Sequence, residues 1–436
     1  VLDLFYWRYF VKKQISFGQA LATVIGSVIG AGVFFKIGSI SQSTESASAT
    51  ILVWLLAGVI SICSGLTVSE IAAALNVNGA IEYLDYSYGN IWGFLFGWAE
   101  MTVYFPAQIA ALASIFGQQF VVLAGLPASS SKWIAAGVVL LLFLINMLGT
   151  KASAWMQSVI TVIKLIPLFL IIVFAIIRPQ VSVSLWPVTV DSSGGWLVGI
   201  SQGLLSALFA FEGWIVVTNL AKEMNNPKKD LARAIILGLS LVTVVYVLVN
   251  YAFMAVLPFD KIIGNDNTAY YASLKLFGQA GGKIVTVGIL LSVYGACNGF
   301  MLTGMRTPYI LAQANRLPGS EKLAKTSVRS GVPVFSALLI NAIALIMISL
   351  GNFEILTDML VFVMWTFTTL LSVAVILLRK REPDLARPFI TPAYPVIPLI
   401  SIIGGLFIIV MTVINQFALS MIGLGITLLG LPVYYW

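Results

Sequence analysis

The sequence predicts an all-α integral membrane protein of twelve transmembrane helices, in which the first and the sixth are interrupted near their centres. Three observations carry this. Of 436 residues, 59% are hydrophobic and only 9% charged, with a mean hydropathy of +0.99, and a soluble chain of this length would need far more charge. Apolar runs of about 18 residues or more recur twelve times, at roughly 16–42, 48–75, 91–122, 131–149, 153–177, 195–220, 232–257, 280–311, 333–350, 354–378, 396–414 and 417–436. Two of these runs place glycines and polar residues at mid-span.

Composition removes several classes of function. Histidine is absent, which excludes His-based hydrolase arrangements and the usual zinc ligand. Cys63 and Cys297 both lie inside apolar runs, so neither a disulfide framework nor a metal site is expected. The net charge of +7 is concentrated on loops of one parity. By the positive-inside rule, and with an even number of spans, both termini are expected in the cytoplasm, with the protein multi-pass in the cell membrane. The stretch Val1 to Lys13 is aromatic, ends on Lys12-Lys13 and precedes a run too long for a signal-peptide core, so no cleaved leader is expected.

Span 1 carries Val24-Ile25-Gly26-Ser27-Val28-Ile29-Gly30-Ala31-Gly32-Val33-Phe34 at its middle. Each glycine weakens a helix interior by roughly 1 kcal/mol relative to alanine. Two readings account for them: close packing through a small-xxx-small pattern, or a break at mid-depth that faces a polar solute. After span 2, Asn76 to Asn90 holds Glu82 and Asp85 but no basic residue, and is expected to be ordered. Span 3 contains Glu100. Span 5 contains Lys164, a lysine that costs ~2.5–3.5 kcal/mol on insertion scales and needs partners. Gln157, Thr161 and Lys164 recur on one face of that helix.

Five spans per unit would invert the second unit relative to the first, so span 6 is expected to mirror span 1 and carry its own irregularity. It does, with Phe209-Ala210-Phe211-Glu212-Gly213-Trp214 at mid-span. Two interruptions at equivalent positions favour a binding site over packing alone. On span 8, Ser292, Gly295, Gly299 and Thr303 form a small-residue stripe that permits close helix approach.

The runs GSVIGAGVFF and FAFEGW, with the loop EMNNPKKDLARAI from Glu223 to Ile235, resemble the amino acid–polyamine–organocation superfamily, in particular the L-amino-acid transporter branch and its bacterial exchangers of alanine, serine and cysteine type. The resemblance extends over all twelve spans. It implies a LeuT-like fold of two inverted five-helix repeats, 16–177 and 195–378, followed by two extra helices at 396–436. Ala31 departs from the family pattern, which has serine between the second and third glycines. It implies no cofactor and no metal. Eukaryotic relatives use a cysteine between spans 3 and 4 to join a heavy chain; Leu123 to Lys132 has none, so no covalent partner is expected.

The resemblance also implies roles. A helix N-terminus offers free N–H groups and a C-terminus offers carbonyls, which suits the two ends of an amino acid. The amides of Gly30, Ala31 and Gly32 would take the carboxylate; the carbonyls of Val28, Phe209 and Glu212 would bind the ammonium, with Ala210 also at the substrate. Phe209 would act as an aromatic gate, and Tyr246 would stand within reach of the substrate. Lys164 would join a carbonyl near Gly26 to Ser292 and so replace a sodium ion; alternatively its charge only fixes packing. The expected activity is sodium-independent exchange of small neutral amino acids by alternating access, with proton-coupled symport as the rival. A channel lacks its filter repeat or charged ring, and an enzyme lacks a catalytic set.

Overall fold

The computed structural model describes residues 15–75, 77, 79–149, 160, 163–190, 194–215, 217–218 and 224–436 except 329. Among the described residues, eight helices are long and apolar enough to cross a bilayer, and a bent pair supplies a ninth. Three shorter apolar helices, Leu165–Ile177, Gly195–Phe211 and Val334–Leu350, stand where spans 5, 6 and 9 are expected. Among the described residues, one β-bridge joins Ile15 to Met224.

Helix α1 (Phe17–Val28) opens on a capping box: Ser16 accepts from the Gln19 amide while the Gln19 side chain accepts from the Ser16 amide. It stops at Ile29, and α2 (Gly32–Thr44) resumes the span with a bend of 46°. Helix α3 (Ala47–Ala74) is apolar on every side and buried over most of its length, which places it inside the bundle. The ordered segment expected after it is helix α4 (Gly79–Tyr88). Span 3 consists of α5 (Asn90–Ala99), a π turn over Glu100–Tyr104 and α6 (Phe105–Ala124). Such π turns interrupt the regular ladder and recur at functional sites.

Helices α7 (Ser131–Met147), α8 (Leu165–Ile177) and α9 (Gly195–Phe211) follow. Helix α10 (Pro227–Val256) starts with proline in its first turn, where the missing amide leaves no bond unmade. Helix α11 (Thr268–Gly304) begins earlier than the apolar run at 280 suggests. It contains a kink at Gly278, whose φ of 68° joins a short outer piece to the long one. Short α12 (Arg306–Gln313) and α13 (Ser320–Leu323) lead to α14 (Val334–Leu350) and α15 (Phe353–Arg381), then α16 (Val396–Asn415), α17 (Phe417–Leu428) and α18 (Gly430–Tyr435).

In the packing, α2 lies against α9, α1 against α10, α3 against α10, and α11 against α6. On the face where α1 begins, Glu70 at the end of α3 holds Arg379 at the end of α15 through two bonds of 2.7 Å and also accepts from the Thr391 amide. Arg316 reaches Asp85 of α4 at 2.8 Å. These polar clamps tie the loops of that face to the helices that frame the two breaks.

Candidate functional site

Ending α1 in the middle of a span leaves its last four carbonyls, Gly26 to Ile29, without the usual helical partners. Three of them are satisfied by side chains from other helices. The Lys164 ammonium, at the start of α8 and 1% exposed, donates to the Gly26 and Ile29 carbonyls at 2.5 Å each. A cation at a helix C-terminus also meets the negative end of the helix dipole. The Tyr246 hydroxyl, from α10, lies 2.9 Å from the Val28 carbonyl. Among the described residues, no donor reaches the Ser27 carbonyl.

Across the gap the chain resumes at the N-terminus of α2. The Phe34 amide donates to the Ala31 carbonyl at 3.0 Å, whereas the amides of Ala31 and Gly32 have no acceptor among the described residues. The break therefore presents free N–H groups on one rim and a free carbonyl on the other.

The second break is built alike. Helix α9 ends at Phe211, and Glu212 turns into extended backbone with ψ 154°. Gly213 follows at φ 105°, and a Cβ there would lie 2.8 Å from the Ser27 carbonyl oxygen. Both its conformation and the close approach of the two breaks require glycine. Tyr246 fastens the breaks together, since its hydroxyl is also 2.9 Å from the Ala210 carbonyl. It is fully buried, with its ring edge-on to Trp54 and Phe211.

Between the breaks lies a small cavity bordered by Ser27, Val28, Gly30, Ala31, Gly32, Phe209, Ala210 and Glu212, with Gln108 and Leu112 from α6 and Ala296 and Phe300 from α11. Exposure around it is one-sided. Ser27, Gly30, Glu212, Ala296 and Phe300 are partly exposed, whereas Ala31 to Gly38 are all buried. On the buried side Phe209 closes the cavity, 5% exposed and edge-on to Phe353 at 5.6 Å.

The two readings of the glycine run divide by position. A Cβ on Gly32 would fall 2.6 Å from Ala210 Cα, so Gly32 lets α2 and α9 pack backbone to backbone. At Gly30 the nearest such neighbour is Ala296 Cβ at 3.7 Å, and the space belongs to the cavity.

Of the residues singled out in the sequence, Val28, Gly30, Ala31, Gly32, Phe209, Ala210 and Glu212 all border this cavity. Lys164 and Gly26 meet directly behind it. Tyr246 is not on the cavity wall; its hydroxyl is held by the Val28 and Ala210 carbonyls. Among the described residues, Ser292 is buried with its hydroxyl unpartnered, and no bond joins it to Lys164. Gly295 permits close packing instead, since a Cβ there would overlap Ile160. Glu100, on the π turn, accepts from Thr307 at 3.5 Å. Gln157, Thr161 and Glu223 lie outside the described residues.

Two residues of the site escaped the sequence reading. Gln108 is 1% exposed, borders the cavity and has a side-chain nitrogen without a partner among the described residues. A glutamine in the interior of an apolar run was the available signal. Lys36, fully buried in α2, donates to Glu354 at 2.5 Å and to Thr357 at 2.7 Å. It stands in the outer part of an apolar run, where a lysine would ordinarily extend its head to water, so the pattern did not distinguish it.

The sequence profile of the amino acid permease family matches residues 15–436. The serine/threonine exchanger SteT of Bacillus subtilis is 35% identical over 427 residues, covering 98% of this chain and 97% of that protein. The human cystine/glutamate transporter is 26% identical, covering 98% and 85% of the two chains. A mouse b(0,+)-type amino acid transporter is 25% identical, covering 93% and 84%.

Proposed function

This chain belongs to the amino acid permease family and is an amino acid transporter; on that premise we propose that it is a sodium-independent exchanger of small neutral amino acids. The observation that carries the reading is the pair of facing breaks, with the free amides of Ala31 and Gly32 on one rim of the cavity and the free carbonyl of Ser27 on the other. A carboxylate seats on the first, where a helix N-terminus adds partial positive charge, and an ammonium on the second. Backbone groups read the part common to all amino acids, so the walls select the side chain. Leu112, Phe209 and Phe300 crowd the wall, which favours small substrates such as alanine, serine, threonine and cysteine. The Gln108 amide adds a further donor at the wall.

Sodium independence rests on Lys164. Its ammonium already supplies the positive charge behind the first break, bonded to two of the carbonyls that the break frees. Phe209 acts as the outer gate, and the partly exposed side of the cavity faces the cytoplasm, together with both termini, in the plasma membrane. The five-helix units 16–177 and 195–378 then rock against each other around the site, with 396–436 outside the repeat. The two cysteines are buried and free, which fits a transporter acting without a disulfide-linked heavy chain.

Glu212 at the cavity wall supports a second reading, proton-coupled symport. Counterflow in proteoliposomes separates the two. Labelled serine is expected to accumulate only in vesicles preloaded with an amino acid, equally with sodium or potassium outside. Equal uptake into buffer-filled vesicles, driven by a proton gradient, would overturn exchange.

A further inference from the structure

On the sealed side of the cavity, one charged side chain joins three helices. Lys36 of α2 is fully buried. Its ammonium donates to Glu354 at 2.5 Å and to Thr357 at 2.7 Å, both on α15, and lies 3.9 Å from Asp358 one turn further along. The same ammonium stands 4.8 Å from the ring centre of Phe353 and 5.5 Å from that of Phe209, the gate residue of α9. Phe209 and Phe353 are edge-on to each other at 89°. The loop before α11 is seated on the same part of α2, with the Gly264 amide bonded to the Gly38 carbonyl at 3.0 Å.

An ammonium in this position is not the most stable filling. The Lys36 side chain is fully buried and that of Glu354 33% exposed; an ion pair with a buried partner gains little over apolar residues of the same volume, because the buried ion gives up water, while removing one partner leaves an uncompensated charge. Replacing the pair with hydrocarbon would close α2, α9 and α15 more tightly. What the ion pair offers is reversibility. When the helices separate, both ions regain hydration, whereas an apolar seam would expose its surface to water at about 25 cal/mol per Å².

Resting on the reading of Phe209 as the outer gate, we propose that Lys36 is the lock of that gate: its contacts with Glu354, Thr357 and the two phenylalanine rings hold α2 and α9 against α15, and each opening to the outside breaks them. Lys36 is a positioning residue, since it lies behind the Phe209 ring rather than on the cavity wall.

The proposal sets two variants against each other. Lys36→Met leaves the Glu354 carboxylate in the seam without its cation and favours the opened gate, where that carboxylate is hydrated. Lys36→Met combined with Glu354→Met removes both ions of the close pair and favours the closed gate, while Asp358 keeps its 2.9 Å bond from Gln416. A cysteine at Ala296 on the cavity wall reports which holds, with Cys63→Ala and Cys297→Ala in the same background. A membrane-impermeant maleimide is added on the gate side of purified, reconstituted protein. Labelling of the Lys36→Met form is expected to be at least about fivefold faster than that of the parent, the lower end of typical coupling between sites, and labelling of the double variant equal to the parent or slower. Glu354→Gln, of the same shape as the native residue, is expected to follow the single variant and serves if Lys36→Met does not fold. Folded single variants that label at the parent rate, or a double variant as fast as the single, would overturn the lock. Labelling requires no transport, so a failure of the exchange reading would appear in counterflow and leave this result to stand separately.

Discussion

Replacing Lys164 with methionine keeps most of its volume and removes its charge. Two carbonyls, of the partly buried Gly26 and the buried Ile29, then lose the donor that reaches both at 2.5 Å. An unsatisfied buried carbonyl costs about 1–3 kcal/mol, so about 2–6 kcal/mol acts at the first break. Removing the lysine from mid-membrane returns about 2.5–3.5 kcal/mol. These effects largely cancel in overall stability and do not cancel at the site, because the destabilised carbonyls belong to the backbone that frames the cavity. The expected result is a melting temperature within a few degrees of the parent and a substrate KM raised at least tenfold, the equivalent of about 1.4 kcal/mol. Thermal unfolding in detergent and counterflow in proteoliposomes measure the two quantities. A lysine that only fixed packing would give the opposite split, with a lower melting temperature and an unchanged KM. A folded Lys164→Met protein with parental KM would refute the reasoning.

Gly32→Ala places a methyl 2.6 Å from Ala210 Cα. Overpacking of about 1–3 kcal/mol is expected, seen as a lower melting temperature together with lost transport. Gly30→Ala has 3.7 Å of clearance, so the fold is expected to tolerate it and the change to appear in KM alone. Tyr246→Phe removes the one hydroxyl that serves the Val28 and Ala210 carbonyls; about 1–3 kcal/mol of stability should be lost, measured by thermal unfolding. Burial, reinforced by the nearby Glu354 and opposed by Lys36, raises the Asp266 carboxyl from 3.8 to about 6. The folded state therefore holds a proton that the unfolded chain has released in this window. The corresponding stability is fully present below 3.8, is lost as pH rises through about 6, and the slope should flatten in Asp266→Asn when melting temperature is measured against pH.

The membrane architecture was legible because length and hydropathy constrain a bilayer-spanning chain strongly. Both interruptions were legible too, since glycine and an acid in the middle of an apolar run are hard to place otherwise. Sequence could not say which glycine serves which purpose. Gly32 and Gly30 look alike in the chain, and only the positions of Ala210 and Ala296 separate packing from open space. That Lys164 needs partners was legible from its mid-span position, whereas Gly26 as the partner came from the family resemblance alone. Ile29 as its second acceptor and the unpartnered Ser292 were not legible, since they depend on the angle at which α8 meets the break. Lys36 stayed hidden because its acids lie more than 300 residues away, on a helix whose register against α2 no local pattern encodes.

Recognition of the amino acid backbone by the two breaks is tested most directly by binding rather than transport. Purified protein would be titrated with serine, serine methyl ester and N-acetylserine in a calorimeter. The ester lacks the carboxylate that the amides of Ala31 and Gly32 are proposed to hold, and the acetylated compound lacks the ammonium assigned to the Ser27 carbonyl. Hydrogen bonds to charged groups contribute about 1.5–3 kcal/mol each, so each analogue should bind roughly 10- to 100-fold more weakly than serine. Either analogue binding as tightly as serine would contradict the account.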